Sequence, residues 1–426
     1  MSGIVQNNIL RSSGTVAVSA AGLNWSDTII TGSTATVEAG NGYWINTTSN
    51  TCTITLPSSA ESGDQIVLID YARTWGTNKI IIDSNGLNYQ GNDDTYTVEY
   101  TTDGQSVNIV YSDATKGWLP LEDDVTADVP VAPVIQKGIF GYGNASGSYS
   151  SLTNLVSSSG VIAADVTGVG TARQQPAAAG YGGDKAIFGY GTNASGKVSM
   201  TNLVNNSGVV AADVTGVGTA RSILAAATYG GDKAIFGYGL TASDVSMTNL
   251  VSNSGVVSAD VSGVGTARSQ LAAVGYGSTG QAIFGFGIAG SNPGLSMTNL
   301  VSNEGVVASD TTGVGTLRHR LAAASYGGDK AIFAYGTLGP NPGVSMSNLV
   351  NSSGVVASDV TGVGTARGAL AACSYGGDKG IFAYGYTSSS VSMSNLVNNS
   401  GVISADVTGV GTARSSLAAA GFSYAA

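Results

Sequence analysis

Apolar and polar residues alternate with a period of two along most of this chain, in short runs cut by glycine-bearing turns. That period belongs to strands, whose successive side chains point to opposite faces. Glycine every few residues argues against helix. From residue 137 onward the pattern recurs. The pentapeptide Ile-Phe-Gly/Ala-Tyr/Phe-Gly starts at Ile139, Ile187, Ile235, Ile283, Ile332 and Ile381, at spacings of 48, 48, 48, 49 and 49 residues.

Each unit reads as four short strands. In the third copy these are Leu224 to Tyr229, Lys233 to Gly239, Val245 to Asn253 and Val256 to Val264. The Gly230-Gly231-Asp232 and Ser254-Gly255 turns separate the first pair and the last pair. Alternation puts Phe236 and Tyr238 on one face, with Ile235, Gly237 and Gly239 on the other, so a bulky face can pack on the small-residue face of the next unit. The Ala-rich first strand suits the crowded innermost position. Four antiparallel strands per repeat is the size of a propeller blade.

The ends of the array are complementary. It opens at Lys137 with a second strand and closes at Ser415 to Ala426 with an unpaired Ala-rich strand. Pairing these two closes a ring of six and removes a sheet edge, whereas an open solenoid wants polar caps. The expected fold is therefore all-β, a six-bladed propeller over 137–426 whose C-terminal strand completes the first blade.

Residues before the array share no repeat with it. Strands are expected at Tyr43 to Asn46, Cys52 to Leu56, Gln65 to Asp70, Lys79 to Asp83, Tyr96 to Tyr100 and Ser106 to Tyr111, with Pro57, Gly63, Gly76, Gly86, Gly91 and Gly104 at the bends. This divides the region into an arm over 1–40, a small β-sandwich over 41–118 and an acidic, Pro-containing linker over 119–136.

Composition narrows the function classes. Charged residues make up only 10% of the chain, against about 25% in an average soluble domain. The 17 basic and 27 acidic residues give a net charge of −10, with no basic stripe for nucleic acid or anionic lipid. No secretory h-region and no run long enough for a membrane span is visible. Cys52 and Cys373 make no ligand spacing and read as unrelated thiols.

The unit resembles the Kelch repeat. The likeness lies in the Arg before the first strand, the apolar-Tyr-Gly-Gly-Asp-Lys turn, the apolar second strand ending in Gly, and the Asn-Leu of the third. It departs from Kelch where Gly-Tyr-Gly replaces the Gly-Gly pair and where the fourth-strand Trp is absent. Arrays of Ile-Phe-Gly-Tyr-Gly are also similar to tail-fibre and other virion proteins of marine phages. The stretch from Asn41 to Trp118 resembles a β-sandwich domain recurrent in phage fibres and appendages.

Repetition sorts the candidate residues. Arg173, Arg221, Arg268, Arg318, Arg367 and Arg414 recur at one position, and Asp165, Asp213, Asp260, Asp310, Asp359 and Asp406 recur eight residues earlier. Arg–Asp pairs, or Arg to carbonyls between blades, are the structural reading; a ring of six cations around an axial anion is the functional one. Asn154, Asn202, Asn249, Asn299, Asn348 and Asn395 read as amides satisfying turns or ladders. Variation concentrates in the loops after the second strand and in the dipeptides after each repeat Arg: Gln174-Gln175, Ser222-Ile223, Ser269-Gln270, His319-Arg320, Gly368-Ala369 and Ser415-Ser416. In an up-down blade both emerge on one face, where loops carry binding without disturbing the scaffold. Tyr149, Asn193, Lys197, Asp244, Asn292, His319, Arg320, Asn341 and Tyr386 are the binding candidates; drift of exposed loops explains the same pattern.

Catalysis finds no support. The single His, His319, cannot build a His-based triad or a multi-His metal cluster. The turns lack the Asp-box of sialidase-type propellers, and GVGTAR lacks the helix a phosphate loop needs. Paired carboxylates from distant loops remain open, with Asp244 the only acid in the variable segments. The expectation is a non-enzymatic phage virion protein without cofactor or metal. It would attach to other virion proteins through the N-terminal region, form a homotrimer, and contact host-surface glycan or protein. Capsid decoration or a head fibre, a Kelch-type interaction adaptor and a glycan-cleaving spike are the alternatives.

Overall fold

The computed structural model describes residues 23–121, 135–290, 294–339 and 343–424. It is all-β, and the chain divides into two compact units, Met1–Pro133 and Val134–Ala426.

The first unit holds β1 (Asn24–Ile30), β2 (Thr34–Thr36), β3 (Asn41–Ile45), β4 (Cys52–Thr55), β5 (Gln65–Asp70), β6 (Ile80–Asp83), β7 (Val98–Tyr100), β8 (Ser106–Tyr111) and β9 (Trp118–Pro120). One sheet has the order β1-β3-β5-β8-β9 and the other β2-β4-β6-β7. The chain alternates between the two, so β1, β3 and β5 are parallel neighbours, as are β2, β4 and β6; β7, β8 and β9 join antiparallel. Side chains from both sheets, among them Ile45, Ile54, Leu68, Ile82 and Trp118, share one core with Trp75 from the connection between β5 and β6. The six expected strands are present within about two residues at each end. The expected start at 41 moves to Asn24, because β1 and β2 belong to these sheets; the rest of the expected arm, and residues 122–134 of the expected linker, lie outside the described residues.

The second unit contains six three-stranded antiparallel sheets. In the sheet of the third repeat, Ala225–Tyr229 pairs with Lys233–Gly237, which pairs with Thr248–Val251; Ala227 faces Ile235 and Phe236 faces Asn249. In the first sheet β10 (Ile135–Gly141) lies between Thr153–Val156 and the C-terminal strand Ala418–Tyr424, with Ile139 opposite Ala420. The C-terminal strand thus takes the place an Ala-rich strand takes elsewhere. Ala-rich strands of successive sheets touch one another in turn, the last touching both its predecessor and Ala177–Tyr181.

Six apolar clusters each span two neighbouring sheets, including the sixth and the first. Each buries a Phe from the second strand, which contributes roughly 1.5–3 kcal/mol. Phe236 meets Tyr190 of the sheet before it, while Tyr238 meets Phe284 of the sheet after it, with ring centroids 5.2 and 5.1 Å apart. Phe236 and Tyr238 therefore face opposite ways, not the same way as alternation implied. Tyr238 is left-handed, with φ +62, and that turn breaks the period of two.

The fourth strand expected at Val256 to Val264 is not continuous. Val257 bridges Val251 and Val261 bridges Thr248, so one extra residue is accommodated between the bridges. Asn249 lies opposite this irregular stretch, and its Nδ2 donates to the Ser258 carbonyl and to Asp260 Oδ1. A bulged, interrupted outer segment is also a poor template for edge-to-edge pairing.

Candidate functional site

Each repeat Arg is fully buried. Arg221 shows why. Its Nε donates to the Tyr238 carbonyl at 2.9 Å, Nη1 to the Thr219 carbonyl at 3.1 Å and Nη2 to Asn249 Oδ1 at 2.7 Å. Its guanidinium lies 4.3 Å from the centre of the Tyr190 ring, so one side chain ties two sheets together. The left-handed turn at Tyr238 has a purpose here: it aims a carbonyl at Nε. Burial pulls the guanidinium groups of Arg173, Arg221, Arg268, Arg318 and Arg367 down, to about 10 for Arg318, a value that leaves it charged at neutral pH. With no exposure, and with each side chain bonded to carbonyls and, in five of the six, to an Asn amide oxygen, the arginines are not a cation ring for an axial anion; among the described residues Arg268 Nη2 and Arg414 Nε are buried without a partner.

The aspartates meet a different Arg from the one eight residues on. Asp260 lies 3.9 Å from Arg221, at the far end of its own unit, and receives the Thr219 N–H and hydroxyl at 3.0 and 2.6 Å. Asp213 and Thr171, Asp310 and Thr266, Asp359 and Thr316, Asp406 and Thr365, and Asp165 and Thr412 repeat the clasp. Asn154, Asn202, Asn299, Asn348 and Asn395 donate to the same carboxylates. These three residue types form the junctions of the scaffold.

The variable segments do converge. The first residue of each variable dipeptide bridges the first residue of a variable loop: Ser415 with Asn144, Gln174 with Thr192, Ser222 with Leu240, Ser269 with Ile288, His319 with Thr337 and Gly368 with Tyr386. The second residues, Gln175, Ile223, Gln270, Arg320, Ala369 and Ser416, are all left-handed, with φ between 47 and 59. Their backbones form a cycle. Ile223 donates to Gln175, Gln270 to Ile223, Arg320 to Gln270, Ala369 to Arg320, Ser416 to Ala369, and Gln175 back to Ser416, at 2.7 to 3.2 Å.

Within this cycle lies a cup of about 300 Å³. Its floor is Pro176, Leu224, Leu271, Leu321, Leu370 and Leu417; the variable residues, with Ser415 and Tyr386, make its wall. Arg320 is exposed, and its Nε donates to Gln270 Oε1 at 2.8 Å. A second cavity of about 250 Å³ is lined by the Gly-Gly-Asp turns and by small residues of the Ala-rich strands, and shares no residue with the cup.

Of the nine candidates, the structure brings Arg320 and Tyr386 to the cup. Tyr149 and the pair Asn193 and Lys197 sit on or beside two-stranded loop hairpins; Asp244 accepts the Gly290 N–H from the neighbouring loop at 2.7 Å. His319 is buried, its Nε2 3.1 Å from the Thr337 hydroxyl, and burial next to Arg320 holds its pKa down. Asn292 and Asn341 lie outside the described residues. The Leu floor escaped sequence reasoning because those leucines read as ordinary strand residues; the signal was their fixed place directly after a variable dipeptide. Comparison of the chain with family models and with curated proteins gives no match.

Proposed function

We propose that the second unit is a six-bladed, Kelch-like β-propeller, displayed on a phage particle, that attaches to glycan on the host surface through its variable end. Three features favour the ring: the cyclic backbone hydrogen bonds from Gln175 to Ser416, the pairing of Ala418–Tyr424 with β10, and the clasp of Thr412 on Asp165. A closed ring gives every sheet two neighbours and leaves no exposed sheet end.

The observation that carries the attachment reading is the separation of variation from repetition. Arg, Asp, Asn and Thr at the junctions are the same in all six units, whereas no two of the six dipeptides at the cup are alike. Symmetry is kept where it builds the scaffold and broken around one concave site, which is how a scaffold carries a specific ligand. The first unit would serve assembly with other virion proteins as part of a homotrimer.

The test is adhesion of the full chain to intact host-range cells, compared with a variant whose loops 144–151, 192–198 and 240–245 are replaced by Gly-Ser. Adhesion by the native chain alone supports attachment. Adhesion by neither removes it and leaves decoration of the capsid as the role.

A further inference from the structure

We infer that the axial cup binds one sugar residue bearing a carboxylate, with Arg320 as the group that takes the acid. The inference rests on the attachment reading for the source of the ligand, and on the cup itself for the ligand's chemistry.

Size comes first. About 300 Å³ is at the low end of ligand pockets, which suits one ring rather than an extended oligosaccharide. Charge comes next. Arg320 is the one ionisable group on the wall apart from the Tyr386 phenol, and no carboxylate lines the cup among the described residues. Gln270 holds Nε, which orients the planar guanidinium, and among the described residues its two terminal amino groups have no partner. A guanidinium fixed in this way and exposed at a wall is suited to a two-pronged bond with a carboxylate.

The rest of the wall favours a sugar over an acidic peptide. A peptide is read largely through its backbone, but the six N–H groups of the ring are each spent on the next carbonyl. Polar contacts must therefore come from side chains: the amides of Gln175 and Gln270 and the hydroxyls of Ser415 and Ser416. These suit a ring rich in hydroxyls. Tyr386 reaches the cup beside Gly368 and Ala369, where neighbouring side chains are smallest, and presents an aromatic body with a polar tip. The leucine floor accepts the C–H face of the ring.

The experiment is calorimetric titration of the full chain with glucuronate, galacturonate and N-acetylneuraminate, with glucose and an acetylated, amidated Gly-Asp-Gly peptide alongside. At least one acid sugar is expected to bind one-to-one. Arg320→Gln should weaken it about tenfold or more, and glucose should bind at least about tenfold more weakly. Arg320 enters the ring through its backbone, and its side chain makes a single exposed hydrogen bond, to Gln270, so the variant keeps the fold, which its thermal transition checks. Failure of all three acids to bind overturns the inference, as does equal binding by Arg320→Gln, by glucose or by the peptide. Cell adhesion separates the two readings. Failure of acid binding with adhesion intact sinks the cup and keeps attachment; Arg320-dependent acid binding without adhesion sinks attachment and keeps the cup.

Discussion

Thr412 donates its backbone N–H and its hydroxyl to Asp165 Oδ2, at 2.9 and 2.6 Å, across 247 residues of chain. Thr219 makes the same two bonds to Asp260, at 3.0 and 2.6 Å, across 41. The junction between the two ends of the array is built like one in its middle.

That equivalence is measurable. Asp165→Ala and Asp260→Ala should each destabilise the chain by about 1–3 kcal/mol, since each leaves a Thr N–H, a Thr hydroxyl and an Asn amide short of an acceptor. Urea unfolding of both variants decides it. A negligible effect of Asp165→Ala beside a full effect of Asp260→Ala would mean that the terminal junction is open in solution.

Acid should unfold the array steeply. Burial pushes the six junction carboxyls up, but the Thr hydroxyl, the Asn amide and the Thr N–H together outweigh it and hold all six below the usual 3.8. A carboxyl depressed in the folded state stabilises it above the unfolded pKa of about 3.9, and that stability is lost as pH falls through the folded value. The thermal midpoint should therefore hold from neutral pH to about 4 and drop below it. Asp260→Asn should flatten part of that drop.

Removing a junction arginine should cost more than removing an exposed one. Arg221→Met strands the Tyr238 carbonyl and Asn249 Oδ1 in the interior, for an expected loss of about 3–5 kcal/mol. Arg221→Lys keeps the charge but lacks the planar fork, so it recovers only part of this. Arg320→Met, on the exposed wall, should change stability by no more than about 0.5 kcal/mol. Chemical denaturation midpoints of the three variants make the comparison.

Gly218 is another sharp point. Its φ is +73, and a Cβ there would lie 2.4 Å from Asp260 Oδ1 and 2.6 Å from Asn249 Nδ2. Gly218→Ala combines a strained backbone with displacement of the clasp, so a loss of about 2–4 kcal/mol is expected. Gly231, also left-handed at φ +79 but with open space around it, should lose only about 1 kcal/mol on the same change. Thermal unfolding of the pair separates collision from backbone strain.

Cys373 should be silent towards thiol reagents in the folded chain. Burial pushes its thiol up to about 12, and it packs against Gly138, where a Cβ would come within 2.5 Å of Sγ. Only the thiolate reacts. Release of colour from a disulfide reagent should appear for Cys373 and the buried Cys52 on unfolding and not before.

Much of the architecture is local and was legible for that reason. Gly-Gly-Asp turns, the Ile-Phe second strand and the complementary ends each depend on residues within a few positions of one another, or on counting repeats. The convergence of the variable dipeptides with the variable loops also followed from strand direction alone. Other features depend on which neighbour a side chain meets. Asp260 could be paired with Arg268 or Arg221, because identical units make the two indistinguishable in sequence; packing chose Arg221. Asn249 read as an amide satisfying a turn or a ladder, but the irregularity between Val257 and Val261 made it the hub of a junction.

The sequence by itself determined the strands, their turns, the sixfold repeat and the confinement of variation to one end, because a period of two and a backbone turn are properties of short segments. Tertiary structure decided the opposite facing of Phe236 and Tyr238, the partner of each Asp, and the gathering of Arg320, Gln270 and Tyr386 around one cup. The first and the last arise only where one sheet meets the next, and the second where the two ends of one unit fold back on each other, each between residues about forty apart or more.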